Sequence, residues 1–150
     1  AGQQRHLAEG NLLADPKIKW RVLARASQYA EGEGMLRADG DLTDGRLDTP
    51  GWMSWEPPKP DKPFGIAFEQ PVTFSRLWLT SPSYKNAALE VFDGKEWKRL
   101  HEWQDQFGYE LEWRGAPVTT TAIRIIGLAQ RRHYSSWCYD EVTEMGLYAK

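Results

Sequence analysis

"PFGIAFEQPVTFSRLWLTS", residues 63 to 81, decides the fold class. Phe64, Ile66 and Phe68 alternate with Gly65, Ala67 and Glu69, the period of two that marks a strand with one buried face. The stretch reads as two strands, 63 to 71 and 74 to 81. Residues 88 to 92 (ALEVF), 109 to 113 (YELEW), 121 to 127 (TAIRIIG) and 143 to 148 (TEMGLY) are also short, rich in β-branched and aromatic residues, and largely alternating. Between Val91 and Trp97, Asp93-Gly94 supplies the chemistry of a tight hairpin, because Asp and Gly tolerate positive φ. No window of a dozen residues carries a good helical stripe. The nearest, residues 18 to 30, reads as a lead-in followed by a strand around Ala24 to Tyr29.

Six to eight strands at this spacing predict an all-β fold, an antiparallel β-sandwich of jelly-roll type, with function on the loops at its ends. The proline-rich residues 56 to 63 are too short for a linker and are expected to lie against the sheet. At 150 residues the chain has the length of one domain, assigned to residues 11 to 150, with residues 1 to 10 as a linker or disordered start.

Nineteen basic residues against 21 acidic ones, a net charge of -2, give no basic field for phosphates, which argues against nucleic acid as a partner. The single cysteine, Cys138, excludes an internal disulfide and a multi-cysteine zinc site. No apolar run is long enough for a membrane span, and residues 1 to 10 lack the apolar core of a signal peptide. Eight tryptophans, six tyrosines and five phenylalanines exceed what a core of this size needs, so some rings belong at the surface.

Several motifs, in order, resemble a known family. Asn11-Leu12-Leu13, Ala26 to Tyr29, and Leu42-Thr43-Asp44-Gly45 followed by Thr49 and Trp52 are similar to the entry half of a discoidin-type domain, the coagulation factor C-type or galactose-binding jelly roll. Residues 64 to 79, the Asp-Gly-x-x-Trp hairpin of 89 to 100, and residues 122 to 127 and 141 to 149 resemble its second half. Within this group the closest likeness is to family 32 carbohydrate-binding modules. The resemblance implies a discoidin-like jelly roll with no catalytic residues. It further implies a monomeric module of a larger glycan-degrading enzyme, secreted, at the cell surface or periplasmic.

The resemblance also implies one structural calcium between the Asp-Gly loop and the carboxylate of the final strand, held by Asp44, Thr49 and Glu144. Hard cations take six to eight oxygens, and a glycine-containing loop can curl carbonyls, a carboxylate and a hydroxyl onto one point. Asp39-Gly40-Asp41 is a competing register, and turn capping is the plain alternative for all these acids.

Carbohydrate binding needs an aromatic platform for apolar C–H faces and a few planar or charged groups for hydroxyls. Two loops offer this mixture. Residues 81 to 87 supply Tyr84, Lys85 and Asn86; residues 129 to 139 supply Arg131, Arg132, His133, Tyr134 and Trp137, with Trp55 from a neighbouring loop. Trp137 or Trp55 is expected to stack, and Arg131 or Arg132 to meet the hydroxyls of a galactose-type sugar or a uronic acid carboxylate. Singly, each has an ordinary role as a solvated charge or packed ring; their density in one loop favours a joint role. Residues 101 to 110, with Trp103, Phe107 and Tyr109, rank below these loops. Trp97, Trp78 and one of Trp52 or Trp55 are assigned to the core or to covering the sheet.

Two other classes compete. The adjacent carboxylates Asp39/Asp41 and Asp140/Glu141 lack a nucleophile or multi-histidine partner, and His6, His101 and His133 stand at no metal-ligand spacing, which argues against an enzyme. A protein- or lipid-binding role is the remaining alternative, because one fold serves many functions.

Overall fold

The structure, a computed structural model, describes residues 9–23, 42–45, 52–54, 58–131 and 140–150. Among the described residues, a 3-10 turn at Leu12–Ala14, capped by the Asn11 side chain, precedes eight strands. They are β1 (Trp20–Leu23), β2 (Trp52–Ser54), β3 (Phe64–Thr80), β4 (Tyr84–Phe92), β5 (Trp97–Trp103), β6 (Glu110–Gln130), β7 (Asp140–Val142) and β8 (Glu144–Tyr148). Every described strand pairing is antiparallel, so the all-β expectation holds.

The two strands expected at 63 to 71 and 74 to 81 are one bent strand of 17 residues. Its pairing with β6 slips between Ala67 and Val72 and again between Phe74 and Arg76. Pro71 sits inside the first slip, where its missing amide removes no ladder bond, and the bulge bends the strand instead of ending it. The expected strands at 109 to 113 and 121 to 127 are likewise joined, in the 21-residue β6. The first half of β3 lies between β1 and the end of β6, and its second half lies between β8 and the start of β6. The large sheet runs β1-β3-β6-β4-β5 with β8 added on β3, and β2 with β7 forms a separate pair. The one described strand within residues 18 to 30 is β1, inside the expected lead-in. Residues 24 to 29 lie outside the described residues.

Alternation then fills one core. Phe64 and Ile66, Leu77 and Leu79, Leu89 and Val91, Leu111 and Trp113, Ile123 and Ile125, and Met145 and Leu147 all belong to a single buried cluster. Burying each large apolar side chain contributes about 1.5 to 3 kcal/mol. Trp52 packs on Phe64 with ring centroids 4.8 Å apart, and Phe74 meets Trp113 edge-on at 5.8 Å. Trp78 is buried outside that core, in a second cluster with Tyr148. Trp97, half-buried, lies under the Arg124 guanidinium at 4.3 Å, covering the sheet. The hairpin between β4 and β5 is closed by Asp93, whose Oδ1 accepts from the amides of Lys95 and Glu96, with Gly94 at φ 100°.

The proline-rich segment does lie against the sheet. Pro58 is buried, Lys59 and Lys62 form a β-bridge, and a Cβ placed on Gly127 would stand 2.5 Å from the Pro58 Cβ. Gly127 is therefore a position of close approach, and Gly127→Ala is expected to cost about 1 to 3 kcal/mol by overpacking. Urea denaturation of Gly127→Ala, with and without Pro58→Gly, checks this: removing the opposing Cβ should restore part of the loss.

Candidate ligand-binding site

Backbone hydrogen bonds draw four segments to one end of the sandwich. The Ser81 amide donates to the Tyr109 carbonyl at 2.8 Å, and the Gln106 amide to the Lys85 carbonyl at 3.0 Å. The Arg131 amide donates to the Ser83 carbonyl at 2.8 Å, and the Glu141 amide to Ser83 Oγ at 2.9 Å. One buried serine thus grips both flanks of residues 132 to 139. Asp105 has φ 52°, a left-handed conformation that Asp tolerates better than most residues. Its amide is held at 2.9 Å by Asn86 Oδ1. The result is an open cleft of about 870 Å³ lined by Lys85, Asp105, Gln106, Phe107, Gln130 and Arg131.

The residues expected here divide into four groups. Lys85 and Asn86 line or support the cleft, Lys85 within 3.9 Å of Asp105. Tyr84 does not line it: the residue is 1% exposed, and its hydroxyl donates to Asp140 Oδ1 at 2.9 Å. That contact makes Asp140, 1% exposed, a buried acceptor and not a cleft carboxylate. Arg131 Nη1 donates to the Phe107 carbonyl at 2.8 Å, while Nη2 reaches the carbonyls of Gln106 at 2.8 Å, Gly108 at 2.6 Å and Tyr84 at 3.4 Å. Trp55, Arg132, His133 and Trp137 lie outside the described residues.

The segment ranked third from sequence supplies the exposed rings. Phe107 is 94% exposed and Tyr109 55%, the two most exposed large hydrophobic residues among those described. Trp103 from the same segment is instead core, with its indole N–H donating to the Glu112 carbonyl at 2.9 Å. The available signal was position: Trp103 ends an alternating strand, whereas Phe107 sits in a Gln-Asp-Gln-Phe-Gly turn with no alternation around it.

The proposed metal ligands also converge in part. The Gly45 amide donates to Glu144 Oε2 at 3.0 Å across 99 residues of sequence, bringing the Asp44 loop to the start of β8. Glu144 is buried, and its Oε1 has no partner among the described residues. Burial pushes its carboxyl up to about 8, opposed by the Gly45 amide and reinforced by the neighbouring Asp44 carboxylate. Thr49 and the competing Asp39/Asp41 register lie outside the described residues. Among those described, no group of three or more His, Cys, Asp or Glu side chains is placed to hold a metal.

No family model matches the sequence, and no curated protein does. Solved structures do match in shape. The family 32 carbohydrate-binding module from Streptococcus pneumoniae EndoD superposes with a TM-score of 0.67 at 16% identity, over 87% of this chain and 96% of that one. The fold is the discoidin-like fold of those modules. The same fold is present in a GH31 CBM32-2 module bound to GalNAc, with a TM-score of 0.61 at 13% identity over 89% and 99% of the two chains. A Ruminococcus gnavus GH29 fucosidase in complex with fucose matches over 93% of this chain with a TM-score of 0.64 and 17% identity, but this chain spans only 26% of it. The discoidin-like resemblance read from the sequence is thus borne out at the level of the fold. No helix among the described residues is long and apolar enough to cross a membrane.

The Glu144 environment generates a pH dependence. Its folded value of about 8 stands above its ordinary 4.5, so the folded protein holds a proton that the unfolded chain has released. That stabilisation is full at pH 4 and falls as pH rises through 8. In chelator, thermal melting from pH 5 to 9 should decline, and Glu144→Gln should flatten the decline.

Proposed function

We propose that the chain is a non-catalytic carbohydrate-binding module that takes a glycan in the cleft beside Phe107. The observation that carries this reading is the 94% exposed Phe107 ring on a turn fixed by hydrogen bonds, beside Lys85, Asp105 and Gln130. A ring left in water costs stability, and a flat apolar face ringed by hydrogen-bonding groups suits the mixed surface of a sugar. The GalNAc complex of the GH31 CBM32-2 module, on the same fold, supports a galactose-type ligand, with uronic-acid-containing glycans as the charged variant. Arg132, His133, Trp137 and Trp55 are proposed to complete the site. The parent protein is proposed to be a secreted or periplasmic glycan-degrading enzyme, with the module as a monomeric part.

A structural calcium belongs to the same reading. The residues present fit it: a buried carboxylate with one unpartnered oxygen beside a second carboxylate is a partial oxygen shell for a hard cation. Asp44 and Glu144, with Thr49, would hold the ion. When bound it would neutralise the paired carboxylates and tie the Asp-Gly loop to β8.

Titration with GalNAc and a glycan panel, followed by amide chemical shifts, tests the ligand. A shallow site of this kind is expected to give dissociation constants of about 0.1 to 1 mM. Phe107→Ala should weaken binding at least about tenfold with the melting temperature nearly unchanged, since the ring is solvated. Calcium should raise the melting temperature by mass action, and Asp44→Ala should abolish the rise. Phe107 beside Lys85 also suits a lipid headgroup region. Co-sedimentation with phosphatidylserine vesicles, lost in Phe107→Ala while every glycan fails, would favour that second reading.

A further inference from the structure

We infer that Arg131 is a positioning residue: its guanidinium braces Gln106–Gly108 so that Phe107 stands out into solvent, and it does not meet the ligand itself. The inference deepens the glycan-binding reading and rests on it only for the binding measurements. Recognition of a carboxylate or vicinal hydroxyls by arginine needs two neighbouring N–H groups free on one edge of the planar fork. Neither edge of Arg131 is free. Nη2 is engaged by the carbonyls of Gln106, Gly108 and Tyr84, Nη1 by that of Phe107, and Nε is buried with no partner among the described residues.

Three of the four carbonyls that Arg131 holds belong to consecutive residues, with Phe107 in the middle. Gly108, lacking a Cβ, would give this segment wide backbone freedom if nothing held it. An unheld segment bearing a free phenyl ring would gain by folding the ring back onto apolar surface. Charge-assisted hydrogen bonds to each carbonyl in turn remove both options. The guanidinium also lies over the Tyr109 ring at 5.3 Å, fixing the residue on the far side of the glycine. A lysine would carry the same charge on one nitrogen and could not span these acceptors.

The test separates bracing from ligand contact in the full chain. In Arg131→Lys, exchange of the two amides that tie this turn down, Gln106 to the Lys85 carbonyl and Ser81 to the Tyr109 carbonyl, should quicken by about tenfold or more, because the turn loses its bonds to a charged group. GalNAc affinity, where GalNAc binds the parent, should fall severalfold. Gly108→Ala added to Arg131→Lys should recover part of both by stiffening the turn, since a Cβ there meets nothing closer than 4.0 Å. Arg131→Gln is the second variant, with the same order of effects expected. Lost affinity with unchanged exchange, and no rescue by Gly108→Ala, would make Arg131 a ligand contact and overturn the inference. Unchanged exchange in both variants would do the same. If the parent binds no GalNAc, the sugar assignment fails while the exchange measurement still decides the brace.

Discussion

The pairing of β3 with β6 is the constraint on which the rest depends. Each strand is paired on both sides, and the ladder between them runs from Phe64↔Ile125 to Thr80↔Glu110 through two register slips. A bulge lets one strand change direction without giving up its hydrogen bonds. The first half of the ladder therefore carries β1 and β4, the second half β8. An antiparallel ladder of this length also fixes which side chains face inward, because a slip of one residue would send Leu77 and Leu79 to the outside. The core cluster exists in this register and no other.

Much of this architecture was legible. Alternation at Phe64, Ile66, Ile123 and Ile125 gave strand type and inward face, and Asp93-Gly94 gave the hairpin. What period alone could not give was continuity: a bulge interrupts the pattern in sequence as a turn does, so one bent strand reads as two short ones. β1 was missed for a related reason. Trp20 and Val22 alternate correctly, but four residues offer too short a window, and their pairing with Phe68 and Ile66 is a long-range fact.

The site was legible in region more than in residue. Composition pointed to the loops holding Tyr84 to Asn86 and Arg131, and the structure brings those loops together with residues 105 to 109. Roles within the region depend on burial, which composition does not encode. Tyr84 and Phe107 are both aromatic residues in polar stretches of sequence, yet one is buried with its hydroxyl satisfied and the other is solvent-facing. Arg131 looked like a ligand fork because arginine is one; the acceptors that occupy it are backbone carbonyls, invisible in any sequence. The approach of the Asp44–Gly45 loop to Glu144 differs in kind: it spans 99 residues of sequence, and family likeness, not local pattern, pointed to that pair of segments.

The carboxylate corner and the open cleft share a mechanical support. Thr80 pairs with Glu144 in the β3–β8 ladder and its hydroxyl is hydrogen-bonded to that of Thr143. The next residue, Ser81, holds the Tyr109 carbonyl through its amide and the Glu141 carbonyl through its hydroxyl. Ser83 then grips the flanks of residues 132 to 139, and Arg131 reaches across to the Phe107 turn. Small hydroxyl side chains suit this path, since each donates and accepts within a buried span where a larger polar group would be left unsatisfied. A continuous path of hydrogen bonds thus links the strand that seats Glu144 to the residues that hold the cleft.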